Sequence, residues 1–500
     1  MIPGRTRPAQ PPRSRFVPLD ELACYLHAPA EPNNVHIEVL VPGHLDERAL
    51  RQAVTAAIAA APRASGRMAA GSALRGRYLW EFPAVPDVDP VSRTTWSDED
   101  ELVAVRNRFL ADAPPLRTSP PVRLLLAAGP EATCVLMNAH HAALDGMSAL
   151  GLLCDIAARY HAIAGTPELA PTVPASVRPV PIPPARRPPP SPIDRARGRS
   201  LARALRRYPV ARIAADRQAR GRRDGHGVRL LLLPVVPRPA SGATVTDLLV
   251  AALIATVARW NAAHGRARRA IAISVPVSVH GPGLPAVAGN QTRLVTVTVG
   301  PRKAAAAQPP VLLAEVSRQL IATRQARPQG ASAGVLDAMP GWCPVALKRL
   351  TFRATLATVG RVVCDTTMLS NLGNVTGPPW SRPGRPVRIA FSAPVHMPRG
   401  LAVSVVTADG QLQVAFRYRY ALLDDTAANR FMETFAATFE EFTTPPAPRE
   451  RAVPDTEGDA RGPAGGATQD PGLPGRQGLP YVLRRRGPAV QPAPAARLPD

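Results

Sequence analysis

The feature that most constrains this chain is an interruption. Between residues 171 and 225 the patterning that marks helices and strands gives way to PIPPARRPPPSP and then to an arginine-rich run, and it resumes on both sides. Proline lacks a backbone donor and fixes φ, so neither helix nor sheet continues through such a stretch. The chain is therefore expected to form two units joined by a linker or surface crossover. Residues 178–223 hold 14 arginines against Asp194 and Asp216, which places half of the formal charge of +24 there. The two lysines, Lys303 and Lys348, leave arginine as almost the whole basic complement, in a chain crowded with Ala, Pro and Gly. G+C-rich coding produces that bias unaided, so the charge is not read as a nucleic-acid surface.

Within residues 16–170 the pattern is that of an α/β unit. Residues 34–41 alternate like a strand, and Asp46 stands where a helix N-cap belongs. Ala49, Leu50, Ala53, Val54, Ala57 and Ile58 then recur at helical spacing up to Pro62. A helix over 98–111, strands over 122–127 and 133–138, and a helix over 147–162 follow. The second unit, residues 226–444, opens with VRLLLLPVV. It continues with an apolar helix over 246–260, strands over 270–279 and 293–299, a hairpin about Asp409-Gly410, and a helix over 424–442. Residues 1–15 and 445–500 carry too few large apolar side chains to offset ordering entropy and are expected to be disordered.

The five cysteines are scattered and never at ligand spacing, so reduced thiols and no structural metal are expected. No apolar run reaches membrane-span length and the N-terminus does not resemble a signal peptide, which together give a cytoplasmic expectation, with attachment to a membrane surface left open.

The chemistry lies in HHAALDG, residues 140–146, at the junction between the strand ending near Asn138 and the helix that follows. A chance match to the four-residue frame His140, His141, Asp145 and Gly146 is on the order of one in a thousand. A neutral imidazole accepts a proton near pH 7 and can turn a hydroxyl or amine into a nucleophile. Adjacent histidines at a strand end point opposite ways, which suits one base and not a metal site. Asp145, close behind the pair, can bind an arginine and fix the loop, while Gly146 lets the backbone turn.

HHAALDG resembles the HHxxxDG signature of the condensation-domain superfamily, to which chloramphenicol acetyltransferase and the wax ester synthase/diacylglycerol acyltransferases are related. VPLDELACYLHAPAEPNNVHIEVLVPGHLDERALRQAV resembles the opening of those acyltransferases. SPPVRLLLA, ATVTDLLVAAL, ISVPVSVHGPG, Gly289-Asn290 and SNLGNV fall in the same order, so the resemblance spans about residues 16–444. It implies two chloramphenicol-acetyltransferase-like α/β lobes forming a pseudo-dimer, with a tunnel between them that donor and acceptor enter from opposite faces. It also implies His141 as general base, His140, Asp145 and Gly146 as structural residues, and Ser370 and Asn371 as tunnel or substrate contacts. Where relatives carry an arginine for the motif aspartate this chain has Ser65, flanked by Arg63 and Arg67.

The implied reaction is transfer of an acyl group from a thioester, acyl-CoA first, to an alcohol, with no cofactor. A free-standing condensation enzyme that takes an acyl or aminoacyl donor from an acyl carrier protein, with the basic linker as its docking surface, and forms an amide or ester is the alternative. A non-catalytic binding or scaffold protein of the same fold, recruited through its basic segments to nucleic acid or to an anionic membrane surface, is the third reading.

Overall fold

The structure is a computed structural model that describes residues 11–71, 74–165, 210–218, 220–236, 242–278, 290, 292–306, 308–325, 342–381 and 386–444. The expectations for residues 1–10, for 171–209 of the linker and for the tail lie outside the described residues.

Alternating side chains commit the first lobe to a five-stranded sheet. Its strands are β2 (Asn34–Pro42), β5 (Val91–Thr95), β6 (Val122–Ala128) and β7 (Ala132–His140), with β12 (Arg388–Ser392) arriving from the far half of the chain; the order is β12-β2-β7-β6-β5. Helices α2 (Glu47–Ala60) and α5 (Gly146–Ala164) pack together on this sheet. Asp46 caps α2 by accepting from the Ala49 N–H at 2.6 Å, and α4 (Glu99–Phe109) is capped the same way by Asp98. A small sheet of β1 (Arg13–Arg15), β3 (Arg67–Met68) and β4 (Leu79–Glu81) stands beside α1 (Pro18–Leu26) and the short α3 (Pro62–Ser65).

The second lobe is a six-stranded sheet in the order β10-β9-β11-β13-β14-β8. Its strands are β8 (His226–Pro234), β9 (Ile271–Ser278), β10 (Thr292–Val299), β11 (Thr367–Asn374), β13 (Leu401–Ala408) and β14 (Gln411–Arg419). Asp409 and Gly410 both have positive φ, so β13 and β14 close through a two-residue turn whose twist matches the strands. Helix α6 (Val245–Ala263) has the length and hydropathy of a membrane span. It is nonetheless a core helix here, mostly buried where it packs on the sheet beside α10 (Asp425–Thr443). Helices α7 (Pro301–Ala306), α8 (Pro309–Gln325) and α9 (Val345–Val363) complete the lobe.

The lobes repeat one plan. In the first, β2 neighbours β7, β7 neighbours β6, and β6 runs parallel to β5; in the second, β8, β14, β13 and β11 stand in the same relations. Helix α2 thus answers to α6, and α5 to α10. A pseudo-dimer in one chain is the result.

Three boundaries differ from the sequence expectation. The N-terminus, expected to be disordered through residue 15, is already paired at Arg13–Arg15, with Arg13 bonded to Glu81. The linker, expected to run to 225, ends earlier: Val210, Ala211, Ile213 and Ala214 are buried, and Arg212 donates to the carbonyls of Cys364 and Asp365 at 2.7 Å. The lobes also exchange chain, since β12 lies within 226–444 yet completes the first sheet against β2. Its partner is about 350 residues away, which local pattern cannot reveal.

Candidate active site

The junction forms because β7 ends at His140 and a tight turn follows, with the Ala143 and Leu144 N–H groups donating to the His140 carbonyl. Asp145 then caps α5 by accepting from the Ser148 N–H at 2.8 Å. The two histidines part at this turn. His140 is 2% exposed, accepts from the Ala142 N–H through Nδ1 at 3.1 Å, and lies 5.1 Å from the His27 ring. Burial first, then the charges of His27 and His141, hold its pKa well below the ordinary histidine value, so it is neutral near pH 7. His141 remains partly accessible; its N–H donates to the Asn33 carbonyl at 2.9 Å, and its Nδ1 is buried without a hydrogen bond to the described residues.

The second lobe reaches the motif from several directions. Asn290 donates to the His141 carbonyl at 2.8 Å, to that of Ala142 at 3.3 Å, and to Asp20 Oδ1 at 3.0 Å, tying the motif to α1. His396, on the connection from β12 to β13, lies 3.2 Å from Asn33 Oδ1. Arg417 on β14 donates to the Asn34 carbonyl at 3.0 Å and to its Oδ1 at 2.6 Å. Burial and then neighbouring Arg419 lower the Arg417 pKa to about 9; burial and then Arg417, Arg399 and Arg419 lower that of His396 to about 3. The motif therefore sits on the seam between the lobes beside a buried, mostly cationic cluster.

Two expected roles change. Gly146 is the first residue of α5 and is not among the positive-φ glycines, so it is not required for a backbone turn. It is required for close approach: a Cβ there would stand 2.9 Å from Leu372 Cδ2 and 3.0 Å from the Phe391 ring. The arginines flanking Ser65 serve other carboxylates, with Arg63 2.7 Å from buried Asp20 and Arg67 bonded to Glu81 and Asp87. Ser370 and Asn371 belong to strand β11, not to a free turn. Ser370 is nearly buried, and Asn371 donates to Thr246 Oγ1 at 3.0 Å at the start of α6 while accepting from the Gly373 N–H. Leu372, the next residue, is the one that meets Gly146, so β11 does run beside the motif.

His27, Asn33, Asn34, Arg417 and His396 were not singled out by sequence. The paired amides that open β2 were the available signal for two of them; the others come from distant segments. Among the described residues no cluster of three or more His, Cys, Asp or Glu could hold a metal ion.

No protein-family model matches the chain. The uncharacterized protein Rv2305 of Mycobacterium tuberculosis is 29% identical over 430 residues, 81% of this chain and 94% of its own length. Among solved structures, the first condensation domain of the CDA synthetase superposes with a TM-score of 0.58 at 16% identity, covering 87% of this chain and 97% of that one. The epimerization domain from the third module of tyrocidine synthetase B gives 0.53 at 14% identity, covering 87% and 98%. The protein thus has the two-lobed fold of the condensation domains. Within that fold the junction that bears HHAALDG lies at the seam, where Asn290 of the second lobe bonds the His141 and Ala142 carbonyls.

Proposed function

We propose that the protein is an acyltransferase that moves an acyl group from a thioester to an alcohol, with His141 as general base. The observation that carries the proposal is the parting of the histidines at the end of β7: one is locked away and neutral, the other is partly accessible on the seam between the lobes. His141 takes the proton of the acceptor hydroxyl as its oxygen attacks the thioester carbonyl. Collapse of the tetrahedral intermediate breaks the C–S bond, and the proton passes to the departing thiolate, giving ester and free thiol. The chain's other task is to hold His141 in place, through Asn33 on one side and Asn290 on the other. The reaction as written calls on no cofactor.

Acyl-CoA is the donor favoured by the resemblance to the wax ester synthases. A carrier-bound acyl or aminoacyl donor is favoured by the structural likeness, because the FmoA3 structure that matches at a TM-score of 0.56 and 17% identity is described as a nonribosomal peptide synthetase. Presenting one acyl group on CoA and on a carrier protein, with pooled alcohols and amines, and following thiol release with mass spectrometry of the products separates the two. Absence of thiol release from either donor would favour the non-catalytic binding reading.

A further inference from the structure

Helix α9 is unlike the other long helices: most of its described side chains are exposed, and these are alanine, leucine and threonine with the single arginine Arg353. Trp342, just before it, is 79% exposed, and Leu350 is 66% exposed, with Leu347 also outside. The Arg75 carbonyl accepts from the Val345 N–H and the Gly76 carbonyl from Lys348, which sets Leu74, itself 78% exposed, beside the start of the helix. A solvated helix of this exposure ordinarily carries charge along its outer face.

Three further observations indicate what this face meets. The outward threonines have turned their hydroxyls inward: Thr351, Thr355 and Thr358 each donate to the carbonyl four residues earlier, at 2.7, 2.8 and 2.7 Å. Their polar groups are satisfied within the helix, and the face offers methyl groups beside the leucines. The helix has no acidic residue, yet contains Lys348, Arg349, Arg353 and Arg361. Arg75 and Arg353 are exposed and Arg349 half-buried, and none of these three forms an ion pair among the described residues. Apolar side chains with an indole at the edge, internally satisfied hydroxyls and a rim of uncommitted arginines are the pattern of a helix that lies in a bilayer interface and draws on anionic headgroups.

We propose that α9, with Trp342 and Leu74, is a membrane-docking face that seats the protein on an anionic bilayer. This proposal does not rest on the transfer reaction. Its occupant is an anionic lipid surface, because the exposed tryptophan and leucines stand beside arginines that make no ion pair among the described residues, and a bilayer interface takes up both. It is also distinct from attachment through the arginine-rich linker, which would act by charge alone.

The test uses the full chain and vesicles of phosphatidylcholine with or without phosphatidylglycerol, in about 0.15 M salt, where the screening length is about 8 Å. Wild type is expected to float with the anionic vesicles, and brominated lipid should quench part of its tryptophan emission. A Trp342→Phe variant should lose most of that quenching. Combining Trp342→Ser, Leu347→Ser and Leu350→Ser keeps every charge and alters only exposed positions; it should lower partitioning roughly tenfold or more with an unchanged melting temperature. Equal binding by the triple variant would assign attachment to the linker and overturn the proposal. Failure of wild type to bind anionic vesicles while it binds an acidic carrier protein would overturn it in favour of a protein partner.

Discussion

The two lobes end their hairpins in the same way, and one of the two endings carries the histidines. At the end of β7, the His141 N–H bonds the Asn33 carbonyl, two N–H groups fold back onto His140, and Asp145 caps α5 through the Ser148 N–H at 2.8 Å. At the end of β14, the Tyr420 N–H bonds the Gly225 carbonyl, the Leu422 and Leu423 N–H groups fold back onto Arg419, and Asp424 caps α10 through the Ala427 N–H at 2.8 Å. Residue by residue, Arg419 stands for His140, Tyr420 for His141, Asp424 for Asp145 and Asp425 for Gly146. The turn and the aspartate are therefore architecture that both lobes need, since every helix start leaves N–H groups to satisfy. What differs between the endings is the imidazoles and the glycine, and those are the positions to which function is assigned.

The largest effect should come from the histidine that has no counterpart. His141→Ala is expected to lower turnover about a hundredfold to ten-thousandfold, the range for loss of a general base, with little change in melting temperature. Tyr420→Phe, at the matching place, should leave thiol release from the thioester unchanged. Equal losses at both positions would make the second junction catalytic and remove the asymmetry; a fully active His141→Ala would remove the base mechanism. His140→Ala should act chiefly on packing.

Next in size is acid sensitivity, and here too the junctions differ, because Arg419 keeps its charge where His140 can titrate. Burial first, then neighbouring cationic groups, holds His140 and His226 well below the ordinary histidine value and brings His396 from 6.5 to about 3. Such a group is neutral in the fold while the unfolded chain already binds its proton. Stability is then complete above pH 6.5 and is lost as pH falls; for His396 the window runs from 6.5 to about 3. Each histidine contributes up to about 1.4 kcal/mol per pH unit inside its window. Melting temperature should fall between pH 7 and pH 5, before ordinary carboxylates titrate, and His396→Gln should flatten that fall. A wild-type profile flat to pH 5 would mean that these imidazoles are protonated in the folded protein.

These contrasts also bear on what the sequence could reveal. The strands and helices of 34–60, 122–164 and 401–443 were legible because each buries one face, so period 2 or 3.6 is written in the apolar residues. The Asp409-Gly410 turn was legible because only such residues take positive φ twice in succession. The motif was legible as a frame, and its placement at a strand end followed from the pattern before it. Strand β12 was not, since its buried RIAFS obtains its identity from β2 across the lobes. The repeat was implied by the resemblance alone and not by internal similarity: once Arg and Tyr replace the histidines, RYALLDD no longer reads as a relative of HHAALDG. His396 and Arg417 gave no local signal either, because their partners Asn33 and Asn34 lie some 360 to 380 residues away.

A smaller effect is expected where glycine faces aspartate across the comparison. Gly146 is hemmed in by Leu372 and Phe391, whereas Asp425 is about half exposed and lies 3.3 Å from Arg229. Gly146→Ala forces the two lobes to give way around a new methyl group and should cost about 1 to 3 kcal/mol, with turnover falling as the seam shifts. Asp425→Ala adds no volume, but it removes the acceptor of the buried Tyr418 hydroxyl along with the exposed Arg229 pair, so its cost of about 1 to 3 kcal/mol is one of hydrogen bonding and should leave turnover unchanged. Turnover per folded molecule reads the difference, and a fully active Gly146→Ala would mean that the lobes do not press on the motif as the packing implies.

The smallest effect on turnover is expected in the shared part of the two endings. Asp145 and Asp424 cap their helices with the same bond, so Asp145→Ala and Asp424→Ala should each lose about 0.5 to 2 kcal/mol, the usual cost of removing such a cap. Asp145 is buried, so its loss also strands a Ser148 N–H away from water and belongs at the upper end of that range or beyond it. Asparagine caps nearly as well as aspartate, so Asp145→Asn should retain the part of the stability that the cap supplies. Turnover per folded molecule should survive both substitutions at Asp145, and this is the readout that separates cap from catalyst. Should Asp145→Asn melt like wild type yet lose turnover as heavily as His141→Ala, the carboxylate would be part of the chemistry, and the likeness between the two junctions would stop at their backbones.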